Sequence, residues 1–274
     1  MARDPVLTFT DSGIYCPAGG FHIDPWRPVD RAVITHGHSD HARPGMGRYL
    51  STDRAAPVIR HRLGDVQVDT LPYGQTLRIG NAVLSFHPAG HVPGSAQARV
   101  EVAGQVWVVS GDYKVERDGL SEPFDPVPCH AFISECTFGL PVFRWAAQSD
   151  VMAGINAWWS ANRDAGRISL LGAYALGKAQ RILSNIDTSL GPVLTHGAVE
   201  EVNAILRAQG YPLPQTIRVT ADMSDKAHPG ALVIAPPGAS ATPWSRRFGD
   251  FAEASASGWM ALRGIRRRRG AETG

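Results

Sequence analysis

Short apolar runs separated by Gly, Pro and Asp turns dominate the first ~140 residues and predict a β-rich segment. Gly80-Asn81 and Ala103-Gly104 each lie between two such runs and predict β-hairpins. TDRAAPVIRHRLG (52–64) predicts a helix that Pro57 breaks. The predicted strands are VLTFT (6–10), GIYC (13–16), RAVIT (31–35), TLRIG (76–80), AVLSFHP (82–88), ARVEV (98–102), QVWVVS (105–110) and HAFISE (130–135).

From residue 148 the period changes, and helical and strand-like stretches alternate as in a parallel α/β segment. Helices are expected over 148–166, where Ser149 or Asp150 would be the N-cap, and over 176–186 and 198–210. Strands are expected over 167–174, 192–197 and 231–238, and FAEASASGWMAL (251–262) has strand character again. We therefore predict a β-rich first domain (1–147), an α/β insert (148–251) and a short return to the first domain (252–274).

Composition adds little to this picture. The 274 residues are 43% hydrophobic and 19% charged, an ordinary globular balance, and a net charge of +2 does not favour any class of partner. Three cysteines do not suggest a disulfide framework. The sequence contains neither a signal-like N-terminus nor a run of 18 apolar residues, so we expect a cytoplasmic protein without a membrane segment.

The candidate chemistry is concentrated in HGHSDH (36–41), which follows the predicted strand RAVIT directly. Imidazole and carboxylate groups are ligands for zinc, manganese or iron, and four of them in six positions without a metal would crowd titratable groups at a cost. His36 and His38 are two residues apart and leave an extended segment on the same side. Asp40 and His41 are adjacent and face another direction, so the spacing favours two metals.

Further ligands must come from elsewhere in the chain, because each metal needs more than two donors. His91 in HPAGHVPGS (87–95) and Asp112 in VVSGDYK (108–114) each follow a predicted strand in a Gly-flanked turn. Asp112 is suited to bridge both ions, since a carboxylate has two oxygens. Taken alone, either residue would more often be an ordinary turn residue. The remaining histidines are interpreted as structural or surface residues, and His196 as a helix-start residue.

These motifs resemble the metallo-β-lactamase superfamily and, within it, the β-CASP nucleases. HGHSDH matches the family's second motif, AGHVPGSAQ (89–97) the third and SGDYK (110–114) the fourth, while SECTFG (134–139) and YALGKAQRIL (174–183) resemble motifs of the inserted domain. The N-terminal stretch YCPAGGFHIDPWRPVDRAVITH (15–36) is most similar to the bacterial ligase-associated DNA exonucleases, a group also labelled mRNA 3′-end processing factors. Asp24 or Asp11 would supply the family's first aspartate, which supports the ligands without binding metal.

The resemblance implies an α/β protein: an αββα sandwich with an α/β β-CASP domain inserted after Glu135. It implies two divalent ions, zinc or manganese, bound by His36, His38, Asp40, His41, His91 and Asp112. Asp40, Asp112 and Glu135 would be catalytic, and Gly177 and Lys178 at a helix start would bind substrate phosphate. Nucleic acid is the expected substrate, DNA more than RNA, and an ATP-dependent DNA ligase and a helicase are the partners the group suggests.

Members of this group continue into a further segment with two more histidines, one of which binds the second metal. The sequence stops at Gly274 before that segment, so the second metal would lack a ligand. Either the chain is truncated, or the sequence is part of a longer one, or a partner supplies the segment. Two alternatives to the DNA exonuclease stay open: an RNA-processing nuclease with the same centre, and a non-catalytic paralogue that binds nucleic acid or a partner. Trp145, Trp158 and Trp159 would stack bases or, as their spacing favours, pack in a core, and Arg266–Arg269 would contact a backbone or be a solvated terminus.

Overall fold

The computed structural model describes residues 5–223 and 225–258, and these residues divide into two compact units, 1–136 and 137–274. The first unit contains two β-sheets and one helix, and the second contains one parallel sheet with three α-helices. The chain is thus mixed α/β, as predicted. Within the described residues no helix is long and apolar enough to cross a membrane.

In the first sheet of the first unit, the first three strands pair antiparallel and the third to sixth pair parallel. Its strands follow chain order: β1 (Thr8–Thr10), β2 (Gly13–Cys16), β3 (Phe21–Ile23), β4 (Arg31–Val33), β5 (Arg48–Ser51) and β6 (Val68–Thr70). The sequence pattern predicted β1, β2 and β4 but missed β3, β5 and β6. All six strands have only three or four residues, so the period is a weak signal throughout this sheet.

The second sheet is largely antiparallel and has the spatial order β11-β10-β9-β8-β7. Its strands are β7 (Thr76–Ile79), β8 (Ala82–Pro88), β9 (Ala96–Val102), β10 (Gln105–Val109) and β11 (Ala131–Ile133). Both predicted hairpins are confirmed, because β7 pairs with β8 across Gly80-Asn81 and β9 with β10 across Ala103-Gly104. Ala103 and Gly104 both have positive φ, as a two-residue hairpin turn of this kind requires.

The two sheets of the first unit pack face to face around one apolar core. Phe21 and Val33 of the first sheet contact the same cluster as Leu84 and Val100 of the second. The other face of the first sheet packs against helix α1 (Ala56–Leu63). This arrangement is compatible with the expected sandwich. The prediction that Pro57 breaks this helix is wrong. Pro57 lies in the first turn of the helix, where its missing N–H has no helical partner to lose.

The second unit is built on a five-stranded sheet of order β14-β13-β15-β12-β16, in which all pairings are parallel. The predicted parallel α/β segment is therefore confirmed, although helix α2 begins without a side-chain cap from Ser149 or Asp150. The elements are α2 (Gln148–Asp164), β12 (Ile168–Gly172), α3 (Lys178–Leu183), β13 (Val193–Thr195), α4 (Gly197–Ala208), β14 (Ile217–Arg218), β15 (Leu232–Ala235) and β16 (Phe251–Ser255).

The predicted domain bounds (1–147, 148–251 and 252–274) stay a prediction. The two compact units divide after Cys136. Strand β16, which overlaps the predicted return segment (252–274), pairs along β12 in the parallel sheet of the second unit, with Phe251 opposite Ile168. Its partner is some eighty residues earlier, so the pairing leaves no local signal. Arg266–Arg269 and the rest of 259–274 lie outside the described residues.

Candidate metal centre

The HGHSDH loop begins where β4 ends, beside the end of its parallel neighbour β3. Because the carboxyl ends of parallel strands meet at one edge, Asp24 after β3 lies against Thr35 after β4. Asp24 Oδ1 accepts a hydrogen bond from the Thr35 backbone N–H at 2.8 Å, and Asp24 Oδ2 accepts one from the Thr35 hydroxyl at 2.6 Å. The loop that carries the histidines is therefore attached at its origin to the neighbouring strand.

The second sheet contributes two more candidate ligands from turns at strand ends. His91 lies between β8 and β9, where Ser95 Oγ accepts the backbone N–H groups of His91 and Val92 at 3.1 and 3.2 Å. Asp112 follows β10 and the buried Gly111, whose φ is +54°. A Cβ at Gly111 would come within 2.7 Å of the Thr35 side chain, so only glycine lets the two loops approach this closely.

One oxygen and three nitrogens of these side chains converge on one point. Potential ligand atoms of His36, His38, His91 and Asp112 all lie within 4.8 Å of one another. His38 Nδ1 is 3.0 Å from His36 Nε2 and 3.3 Å from His91 Nε2, and Asp112 Oδ2 is 3.4 Å from His91 Nε2. Three imidazole nitrogens and one carboxylate oxygen form a donor set that suits a divalent transition ion. This group could bind a metal.

A second donor set lies on the other side of Asp112. His41 Nε2 is 3.2 Å from Asp112 Oδ1, the oxygen that does not face the first group, and 3.8 Å from Asp40 Oδ2. Asp112 thus presents one oxygen to each set. Asp40 is exposed, whereas His36 is fully buried, so the second set is the more open of the two.

Hydrogen bonds behind the candidate ligands determine which ring nitrogen faces forward. The Thr35 hydroxyl donates to Asp24, so it accepts from His36 Nδ1 at 3.1 Å, and the Nε2 lone pair of His36 faces the first donor set. His41 Nδ1 donates to Asp24 Oδ2 at 2.7 Å, which leaves His41 Nε2 for the second set. Such a carboxylate behind an imidazole is common where histidine binds metal, because it orients the ring and raises its basicity.

Without a metal, the two histidines have opposite proton affinities. Burial lowers the pKa of His36 well below its usual range, and the nearby His41, His38 and His91 lower it further. Burial also disfavours charge on His41, but the hydrogen bonds that it donates to Asp112 and Asp24 outweigh burial and raise the pKa of His41 to about 10. Burial would likewise raise the pKa of Asp112, yet the contact with His41 prevails and lowers it. The positive charge of protonated His41 thus compensates the negative charges of Asp112 and Asp24, as a metal cation would.

Two further residues of the first unit adjoin the centre. Arg62 of α1 donates to the carbonyl oxygens of Gly37 at 2.7 Å and Ala42 at 3.4 Å, and so supports both ends of the HGHSDH loop. The backbone N–H of Glu135 donates to Ser110 Oγ at 3.2 Å, next to Gly111. Sequence reasoning did not single out Thr35, Ser95 or Arg62. Thr35 and Ser95 lie beside the candidate ligands in the chain, and Arg62 acts on carbonyl groups twenty or more residues earlier.

The predicted phosphate-binding residues belong to the second unit, where α3 starts at Lys178. The Gly177 N–H donates to Gln180 Oε1 at 2.8 Å, the Lys178 N–H to Leu176 O and the Ala179 N–H to Tyr174 O. The backbone N–H groups expected to face a phosphate therefore already have partners within the chain. A contact between the half-buried Lys178 side chain and substrate phosphate stays a prediction.

Two other predictions concern the second unit. His196 is the N-cap of α4, and its Nδ1 accepts the Ala198 N–H at 3.1 Å, so its interpretation as a helix-start residue is confirmed. Trp159 is fully buried and donates to Gly230 O at 2.9 Å, which identifies it as a core residue. Trp145, in contrast, is 52% exposed.

Comparisons with curated proteins find distant relatives. The chain is 28% identical over 250 residues to a protein named probable DNA ligase from Opitutus terrae, an alignment that covers 90% of this chain and 24% of that protein. It is 30% identical over 149 residues to ribonuclease TTHA0252 of Thermus thermophilus, covering 43% and 34%. It is 29% identical over 232 residues to the transcription termination factor FttA of Methanosarcina mazei, covering 67% and 36%.

The chain thus spans only about a quarter to a third of the length of these relatives. No family model matches it. Among solved structures, a protein of unknown function from Enterococcus faecalis V583 superposes with a TM-score of 0.56 at 11% identity, over 89% of this chain and 68% of that one. This likeness concerns the fold alone. The nuclease names among the relatives are consistent with the nuclease family that the motifs resemble.

Proposed function

We propose that this chain is a two-metal-dependent phosphodiester hydrolase, a DNA exonuclease that acts on DNA ends in repair. The observation that carries the proposal is the convergence of His36, His38, His91 and Asp112, with His41 on the second oxygen of Asp112. Similarity to a protein named as a DNA ligase over 90% of the chain favours a role beside DNA joining. A DNA ligase and a helicase are accordingly the proposed partners.

The proposed roles follow from where each side chain points. His36, His38 and His91 would hold the first ion, Asp40 and His41 the second, and Asp112 both. When bound, paired divalent ions such as zinc or manganese activate water and stabilise the charge that develops on a phosphodiester during in-line displacement. Asp24 and Thr35 keep the lone pairs of His41 and His36 facing the ions.

Glu135 and Lys178 are proposed to act on the substrate side of the reaction. Glu135 follows β11 in the motif that resembles the start of a β-CASP domain, and its backbone is fixed next to the strand that carries Asp112. Lys178 would supply a positive charge to a substrate phosphate. On this proposal the β-CASP insert (148–251) lies within the second unit.

An RNA-processing nuclease is the second candidate, because ribonuclease TTHA0252 and several proteins named endoribonuclease YSH1 are also among the relatives. Discrimination between RNA and DNA depends on how a site treats the 2′-hydroxyl. The same metal centre would serve either substrate. A chain that binds nucleic acid without cleaving it is the third reading, and metal content separates it from the enzymes.

The deciding experiment incubates end-labelled single-stranded DNA and RNA with the purified chain and Mn²⁺ or Zn²⁺. We expect metal-dependent loss of label from DNA ends, abolished by His38→Ala and retained by His61→Ala, which changes an exposed histidine of α1. Faster cleavage of RNA would favour the second candidate. No metal-dependent cleavage of either substrate, by this chain or by a longer form that extends past Gly274, would refute the nuclease assignment.

A further inference from the structure

A cavity of about 210 Å³ lies in the first unit at the edge of the sheets opposite the metal centre. Arg31 and Arg48, the first residues of the parallel strands β4 and β5, line it. His36 lies beyond the other end of β4, so roughly 16 Å of extended chain separates it from Arg31, at about 3.3 Å per residue. The lining extends along β4 as far as Val33 but includes none of the candidate metal ligands, so the cavity is distinct from the candidate catalytic site.

Two arginines are held side by side at this cavity. Arg31 is the register partner of Arg48, and adjacent strands lie about 4.8 Å apart. Like charges in this position repel each other and destabilise a sheet. Within the part of the chain that the structure describes, neither guanidinium forms an ion pair or hydrogen bond. Both side chains are exposed, so their charge is accessible to a ligand from solvent, and paired guanidinium groups suit the oxygens of a phosphate.

The rest of the lining is apolar with a single acceptor. Phe21 and Arg31 come directly before the paired residues His22 and Ala32, so they lie next to each other in the sheet. Phe21 is buried and forms the floor of the cavity. Leu77 and Ile79 of β7 come from the facing sheet, and Leu77 is 37% exposed. Asp69 lines the cavity from β6 and pairs with Leu50, two residues after Arg48. It can accept a hydrogen bond from an N–H or O–H of a ligand.

We propose that this cavity binds a mononucleotide, with the terminal phosphate on Arg31 and Arg48, the base against Leu77 and Ile79, and Asp69 accepting from an amino or hydroxyl group. The identification of the ligand rests on the proposed function, since an exonuclease releases mononucleotides. A phosphate monoester carries more charge than the diester of a nucleic-acid chain and matches two guanidinium groups. The cavity would then respond to the product of the reaction at a distance from the metals.

Isothermal titration of the full chain in metal-free buffer with adenosine 5′-monophosphate tests this proposal. Inorganic phosphate, adenosine and a short single-stranded oligodeoxynucleotide without a terminal phosphate are the comparison ligands. We expect the mononucleotide to bind at least about ten-fold more tightly than any of these, because it alone satisfies both the arginines and the apolar wall. Arg31→Gln/Arg48→Gln should weaken its binding by about ten-fold or more, since two charge-assisted contacts are lost.

Arg78→Gln is the matched control, because Arg78 is an exposed arginine of β7 outside the cavity lining, and its binding should equal that of the unchanged chain. Absence of mononucleotide binding, or binding that survives the double substitution, would overturn the proposal. Equal affinity for inorganic phosphate, or tighter binding of the oligonucleotide, would overturn the choice of ligand. Because the titration involves no cleavage, its failure is distinguishable from a failure of the nuclease assay.

Discussion

Replacing Asp24 by Asn should selectively weaken metal binding at His41. Asp24 Oδ2 receives two hydrogen bonds, from the Thr35 hydroxyl at 2.6 Å and from His41 Nδ1 at 2.7 Å, while Oδ1 receives the Thr35 N–H. An Asn amide group at Oδ2 would oppose two donors, and the flipped amide would oppose the Thr35 N–H. The first orientation removes the His41 contact, and the second keeps it but loses the Thr35 N–H. Both remove the negative charge behind His41 that orients its ring and raises its basicity.

The expected magnitude follows from how strongly such supporting groups affect metal sites. Loss of a supporting carboxylate typically lowers metal affinity about 10- to 100-fold, or about 1.4 to 2.7 kcal/mol. Because Asp24 contacts His41 directly but reaches His36 only through Thr35, the loss should fall mainly on the weaker of two zinc-binding events. Competition with a chromophoric chelator at fixed pH measures both affinities in one titration.

Asp11→Asn is the matched control, because Asp11 is an exposed aspartate of the same N-terminal segment that contacts Trp26 through its backbone oxygen. This substitution should leave both affinities unchanged, and thermal unfolding checks that each variant is folded. The reasoning is refuted if Asp24→Asn keeps both affinities, or if its loss falls on the tighter event alone. Equal effects of the two substitutions would likewise remove the assigned role of Asp24.

Two further predictions concern protonation and packing. In the metal-free protein the raised pKa of His41 contributes stability that is fully present below about pH 6.5 and is lost as the pH rises toward 10. Zinc binding at neutral pH should therefore release a proton from His41. Calorimetry in buffers of different ionisation enthalpy counts the released protons, and no release would contradict the prediction. Gly111→Ala should lower the unfolding free energy by more than Gly104→Ala, by about 1 kcal/mol or more, because both glycines have positive φ but only a Cβ at Gly111 meets Thr35. Denaturant unfolding compares the two variants, and equal losses would contradict the role of this contact.

Sequence periodicity predicted those elements whose partners or period are local. The hairpins at Gly80-Asn81 and Ala103-Gly104, the alternating helices and strands of the second unit, and the cap at His196 are all visible within a few residues. Strand β16, in contrast, pairs with β12, which is distant in the chain. The partner of such a strand is determined by the three-dimensional arrangement and cannot be predicted from the residues of the strand itself.

The candidate site shows the same division between local and distant information. Four ligand-type residues within HGHSDH predict a metal site from the sequence alone, and the Gly-flanked turns at His91 and Asp112 follow strands that the pattern predicts. The supporting residues carry no such mark. Ser95 fixes the His91 turn, and Arg62 supports the HGHSDH loop from a helix twenty residues later. A hydroxyl or a guanidinium group acquires such a role only through the atoms that folding brings next to it.

Thr35 connects these parts of the centre. Its hydroxyl donates to Asp24 and accepts from His36, so one oxygen orients a ligand of the first set directly and the ligand of the second set, His41, through Asp24. The same side chain occupies the space that a Cβ at Gly111 would need, immediately before Asp112. The two donor sets therefore share a support as well as the bridging carboxylate. A change behind either histidine is transmitted to the other through a buried group that binds no metal itself.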